Sequence, residues 1–187
     1  MAKVGNNIVV TGLSGKLGDL IVFRNRGGTT VVAQAPQKKE RELSEAQEQH
    51  QLRFQEAILY GKASIADPEK KAAYKASAEE GQSAYNIAVA DFLNAPHIEE
   101  IDVSHYTGQP ESYIQVRAVD DFKVAEVTVN ILNSDGSEAE HGAAALQTGS
   151  TWWRYTVTTA NESLQGDKII VRVSDLPGNL IEKEQGI

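Results

Sequence analysis

The sequence predicts an α+β protein in three parts: an N-terminal β-strand arm or hairpin over residues 1–36, a helical hairpin or three-helix middle over 37–97, and a C-terminal antiparallel β-sandwich over 98–187. Three observations carry that division. Glycine turns separate short β-branched runs near the start, apolar residues recur every three or four positions through the middle, and from Ile98 the apolar period drops to two. With 187 residues, 41% of them hydrophobic and 24% charged, the chain is long and apolar enough to bury a core.

The arm contains "IVVTGLSGKLG" at residues 8–18, which invites comparison with a phosphate-binding loop. Such a loop needs Gly, four residues, then Gly-Lys-Ser/Thr, so that backbone N–H groups wrap the phosphates and the hydroxyl holds magnesium. Here Gly15-Lys16 is followed by Leu17, and Val10 stands where the first glycine belongs. A helix should also open behind the loop to hold the anion. Instead the loop leads into Leu20, Ile21, Val22 and Phe23, a turn at Arg26-Gly27-Gly28, and a second β-branched run, "TTVVAQA". The segment reads as three short strands joined by glycine turns, which leaves nucleotide binding as a distant alternative. Strands this short are marginal alone in water and must find another surface. That surface is either the helices of the same chain or another subunit. In the second case Ile21, Val22, Phe23, Arg24, Arg26, Val31 and Val32 form the assembly interface, by strand exchange or strand addition.

The middle opens with Ser44 and Gln47 at the N-cap and N3 positions of a capping box, with Leu43 placed to staple the entry. Ala46, His50, Phe54, Ala57, Ile58 and Gly61 then form a buried stripe, with His50 as a hydrogen-bonded packing residue. Leu52 and Leu59 lie partly off it and imply a second contact face. Further on, Asp67 caps a helix with Pro68 in its first turn, where the missing N–H costs nothing. Tyr74, Ala78, Gly81, Tyr85, Ala88, Val89 and Phe92 make a stripe rich in small residues, which Gly81 can split into two helices before Asn94-Ala95-Pro96 ends the region. Glu79 and Glu80 are adjacent on a helix and do not face each other, so they are a solvated face and no acid/base pair.

From Ile98 the alternating runs "YIQVRAV", "VAEVTVNIL", "WWRYTVT" and "KIIVRVSD" are separated by turn signals, with "NSDGSE" a hairpin turn tipped by Asp135-Gly136. Three segments, "VRAVDDFKVAEVTVNILNSDGS", "WWRYTVT" and "IIVRVSDLPGNL", carry a resemblance; in the last, the closing strand ends in Asp and Gly-Asn comes a few residues on. Together they resemble the bacterial immunoglobulin-like modules of surface and multidomain proteins. The resemblance spans about residues 98–184. It implies an immunoglobulin-like sandwich of the kind that serves as spacer, adhesin or assembly unit. The whole chain, through "GLSGKLGDLIVFR", the "SEAQ" and "RFQEA" segments and "YNIAVADFLNAP", is similar to an uncharacterised group of Bacteroidota proteins, which implies shared architecture.

Charge is unevenly placed. Residues 1–36 carry Lys3, Lys16, Arg24 and Arg26 against Asp19, a net of +3. Residues 37–97 hold eight basic and ten acidic groups, a net of -2, while residues 98–187 hold six basic and fifteen acidic, a net of -9. The acidic majority argues against nucleic acid as a partner, and the opposed ends point to a homo-oligomer or polymer. There are no cysteines, which removes disulfides, thiol nucleophiles and thiolate metal sites. The N-terminus lacks the form of a secretory signal and no apolar run is long enough to span a membrane. The expected location is therefore cytoplasmic or external by a signal-independent route, as in a virion or surface assembly, without membrane insertion.

No catalytic residue and no cofactor is assigned. His97, His105 and His141 are scattered without zinc spacing, and no serine sits in a Gly-x-Ser-x-Gly elbow. Asp120, Asp121, Asp175 and Asn179 are hard oxygen donors in loops, which one end of a sandwich can gather for calcium; Asp in turns equally caps backbone groups. No metal ligand set is assigned on that basis. Trp152 and Trp153 point to opposite faces of a strand, one into the core and the other toward a possible partner. Two functions remain: a non-enzymatic self-assembling structural subunit, or a monomeric binding module that recognises glycan or protein through Trp152 or Trp153.

Overall fold

The computed structural model describes residues 2–4, 8–36 and 43–187. The first six residues of the expected helical region, 37–42, lie outside the described residues. The chain divides into two compact units, residues 1–44 and 45–187.

The first unit is a four-stranded antiparallel sheet of β1 (Ala2–Val4), β2 (Gly15–Leu17), β3 (Ile21–Arg26) and β4 (Thr29–Gln34), in the order β1-β4-β3-β2. Gly27 and Gly28 join β3 to β4 with φ of 53° and 76°, the double positive φ that a two-residue type I′ hairpin turn demands. Strand formation departs from expectation at Ile8, Val9 and Val10, which lie in turns, while the less apolar Gly15-Lys16-Leu17 forms the strand. The connection over residues 18–20 is the reason. It pins Leu17 opposite Ile21, so the edge of β3 is taken before the upstream run can reach it. No helix comes after the glycine loop, so the phosphate-loop geometry is absent there.

The second unit begins with α1 (Glu45–Ala66), α2 (Pro68–Ala76) and α3 (Ala84–Leu93). Asp67 caps α2, its side chain accepting from the N–H groups of Glu69 and Lys70 at 2.9 and 3.2 Å. Ser83 caps α3 by accepting from Asn86 N–H at 3.2 Å, and Gly81 falls between the two helices. The stripe expected along α1 is buried only in its second half, at Ala57 and Gly61. Ala46, His50 and Phe54 are exposed, so His50 is no packing residue. The cause is length: α1 has 22 residues and its partner α3 only ten, about 33 Å against about 15 Å, and α3 cannot cover the first turns of α1. Leu52 and Leu59, on the second face, are likewise exposed.

The remaining strands are β5 (His97–Asp102), β6 (Tyr113–Val119), β7 (Val124–Leu132), β8 (Glu138–Ala143), β9 (Ala145–Leu146), β10 (Trp152–Thr156), β11 (Lys168–Asp175) and β12 (Leu180–Gly186). They form two antiparallel sheets, ordered β5-β6-β10-β9 and β12-β11-β7-β8. Alternate residues of both sheets meet in one core: Ile114 and Val116 of β6, Tyr155 of β10, Val127, Val129 and Ile131 of β7, and Ile169, Val171 and Val173 of β11. The Asp135-Gly136 turn between β7 and β8 is closed by Asn133 N–H donating to Ser137 O at 2.8 Å. Among the described residues no helix is long and apolar enough to cross a membrane.

The contact of α1 with α3 rests on Gly61. A Cβ there would stand 2.7 Å from Val89 Cγ2 and 2.9 Å from Tyr85 Cε2. Gly61→Val is expected to lower stability by roughly 1–3 kcal/mol in urea unfolding; wild-type stability in that variant would contradict the close approach.

Candidate functional site

In the N-terminal sheet, cross-strand neighbours share a face, so the register sorts the side chains. Lys16, Val22 and Ala33 lie in one row, Lys3, Val31 and Arg24 in the next, and Arg26 and Thr29 in a third, all on the same face. The opposite face carries Leu17 and Ile21 beside Gln34, Phe23 beside Val32, and Asn25 beside Thr30. The seven expected interface residues are thereby divided: Val22, Arg24, Arg26 and Val31 on the basic face, Ile21, Phe23 and Val32 on the apolar one. All four cations of residues 1–36 stand together on the basic face. Lys3 and Lys16, which sequence reasoning counts only as charge, complete it. A groove of about 390 Å³ on that face is lined by Lys3, Arg26, Thr29 and Val31.

A second site lies where α3 ends against the C-terminal sheets. The turn joining β11 to β12 folds on Asp175, whose Oδ1 accepts from the N–H groups of Gly178 and Asn179 at 2.8 and 2.6 Å. Asn179 then turns its amide toward the helix end. Nδ2 lies 3.3, 3.1 and 3.2 Å from the carbonyl oxygens of Asp91, Phe92 and Asn94 and 2.7 Å from Asp175 Oδ2, so two hydrogens serve four acceptors. These are the carbonyls a helix leaves unsatisfied at its C-terminus. Arg53 of α1 joins from the other side, donating to Leu93 O at 3.3 Å and Asn179 Oδ1 at 3.4 Å.

Three carboxylates converge at this junction. One oxygen each of Asp91, Asp120 and Asp175 lies within 4.8 Å of the others. Asp120 Oδ2 accepts from the N–H groups of Phe122 and Lys123 at 3.2 and 2.8 Å, the turn-capping role expected of an Asp there. Asp91 is 1% exposed; its Oδ2 accepts from Tyr74 O–H at 2.5 Å, and the Tyr74 oxygen lies 2.8 Å from the Tyr60 hydroxyl. Asp91 Oδ1 and Asp120 Oδ1 are buried without a hydrogen-bond partner. Burial pushes the Asp91 carboxyl up to about 6; the Tyr74 hydrogen bond pulls it down, and the charges of Asp120, Asp175 and Asp121 push it further up. Tyr74 is raised well above the ordinary phenol range by burial and by its bond to Asp91. Asp121 stands aside, its Oδ2 accepting from Asn94 Nδ2 at 2.5 Å. Of the donors singled out in the sequence, the fold brings Asp120, Asp175 and Asn179 together and adds Asp91, which sequence reasoning missed. Its signal is that it is the only charged residue of α3, three positions beyond the buried Ala88.

Trp152 and Trp153 pair across β6 with Arg117 and Val116 and so face opposite ways. Trp153 packs on the core, and Trp152 is half-buried on the outer face. No protein-family model, curated protein or solved structure matches the chain.

Two outcomes test the junction. Asn179→Ala is expected to cost about 1–3 kcal/mol in urea unfolding, because the α3 carbonyls lose their donor; no loss would remove the junction from the account. Asp91 holds its proton in the folded state up to about pH 6, while the unfolded chain releases it near its ordinary value of 3.8. In chelator-treated protein this group therefore withdraws on the order of 3 kcal/mol of stability as pH rises from about 4 to about 7. Asp91→Asn should flatten that decline; an identical pH dependence in the variant would contradict it.

Proposed function

We propose that the chain is a non-enzymatic structural subunit that assembles with copies of itself through its N-terminal sheet. The observation that carries this reading is the one-sided placement of Lys3, Lys16, Arg24 and Arg26, a face of net positive charge in a chain whose residues 98–187 carry a net of -9. Sign complementarity of that kind steers association and fixes register. A second support is the thinness of the first unit. Over residues 8–36 only Thr30, Val31 and Ala35 are buried, while Ile8 is 94%, Leu17 63% and Leu20 73% exposed. A sheet with so little of its own core gains most from a neighbour, and the occupant we assign is a second copy of this chain. Contact between two different patches, basic sheet on acidic surface, is heterologous and so closes a ring or continues as a filament.

We further infer that residues 98–187 form an immunoglobulin-like sandwich. The strand orders β5-β6-β10-β9 and β12-β11-β7-β8 match the A-B-E-D and G-F-C-C′ pattern of that fold, with opposed inner faces sharing a core. In this reading the sandwich supplies the acidic partner surface. Recognition of a glycan through a tryptophan platform is the weaker reading, since neither Trp152 nor Trp153 is fully exposed.

Light scattering with negative-stain imaging tests the assembly. The full chain is expected to form rings or filaments at about 50 mM salt that weaken at about 500 mM, where surface charges are screened. The double charge reversal Arg24→Glu with Arg26→Glu should remain monomeric at both. A wild-type monomer under every condition would overturn the reading.

A further inference from the structure

The junction beneath α3 holds more negative charge than its hydrogen bonds explain. We propose that Asp91, Asp120 and Asp175 bind one hard divalent cation, of the calcium or magnesium class, a role independent of the assembly reading.

The geometry is that of a ligand set. One oxygen from each carboxylate lies within 4.8 Å of the other two, and oxygens bound to calcium at about 2.3–2.6 Å span up to about 5 Å across the ion. The three residues come from the C-terminal part of α3, the loop before β7 and the end of β11, so the fold and not local sequence gathers them. Asp91 and Asp120 are each held by one oxygen and leave the other open. Tyr74 O–H takes Asp91 Oδ2 and two backbone amides take Asp120 Oδ2, while both Oδ1 atoms are buried without a partner. An ionised carboxylate oxygen buried in this way is costly unless something positive meets it. Among the described residues no ion pair reaches Asp91, Asp120 or Asp175. The site also stands at the negative end of the α3 dipole, which favours a cation further.

Carboxylate oxygens without imidazole or thiolate select calcium, magnesium or manganese over zinc or copper. Water would have to fill the remaining positions around the ion, and two clefts border the ligands, one at Asp120 and one at Asp91. One, of about 500 Å³, is lined by Asn94, His97, Asp120 and Asp121. The other, of about 270 Å³, is lined by Glu79, Asp91, Asp121 and Phe122. A proton on Asp91 is the competing way to relieve the same charge.

The test is calorimetric titration of chelator-stripped full-length protein with calcium and, separately, with magnesium at neutral pH. The expected result is one ion bound per chain for at least one of the two metals. Asp120→Asn, in which the amide oxygen can still cap the Phe122 and Lys123 N–H groups, should bind at least about tenfold more weakly. Asp91→Asn should do the same, with far-UV circular dichroism reporting the fold of each variant. Wild-type protein that binds neither metal would overturn the proposal and leave the proton in its place. Binding undiminished in both folded variants would also overturn it, because the ion would then sit elsewhere.

Discussion

Asn179 closes the end of α3. A helix that ends inside the fold leaves carbonyl oxygens which must be met by donors. One side-chain amide from the β11–β12 turn meets those of Asp91, Phe92 and Asn94, and Arg53 meets that of Leu93. The turn can do so because Asp175 first holds it, through the N–H groups of Gly178 and Asn179. The "DLPGN" segment thus acts as a clasp that fixes helices and sheets into one unit. Two features of the junction rest on it: the approach of Asp91 to Asp175 and the reach of Arg53 across the helix end to Asn179. A polar clasp demands complete satisfaction in a way that an apolar contact does not. The two open carboxylate oxygens stand out for that reason.

The two units solve the problem of stability differently. In the second, inward side chains from two sheets meet in a continuous core, with Ile114, Val116, Val127, Val129, Val171 and Val173 nearly or wholly removed from water. The first has one sheet, a handful of buried residues and faces of unlike character, one basic and one apolar. Such a sheet is poorly suited to stand alone and well suited to be covered. Strand edges and half-exposed Ile21, Val22 and Phe23 offer adhesion, while the cations offer direction.

The parts of the fold that were legible in the sequence are those governed by near neighbours. Period-two alternation marked β6, β7, β10 and β11 but not β5, β8, β9 or β12, whose exposed faces break the alternation. The Asp67-Pro68 pair announced α2, and Asp135-Gly136 marked its hairpin. The misreadings have a shared physical cause, which is dependence on a distant partner. Ile8, Val9 and Val10 are good strand formers displaced because a short connection commits β3 to Gly15-Lys16-Leu17. His50 and Phe54 lie on a true helical stripe, yet that stripe outruns the helix that would cover it. Asp91 was overlooked because its significance arises only when α3, the loop after β6 and the end of β11 meet. The common basic face was equally hidden, since four cations spread over residues 3–26 share a side only once the register is known.

Zero-length carbodiimide cross-linking, applied to an equimolar mixture of ordinary and 15N-labelled full-length protein, reads the assembly contact residue by residue. The account predicts amide links between Lys3 or Lys16 of one copy and carboxylates in residues 98–187 of another, identified by their mixed isotopic composition. Links confined to single copies, or intermolecular links that spare the N-terminal lysines, would contradict it.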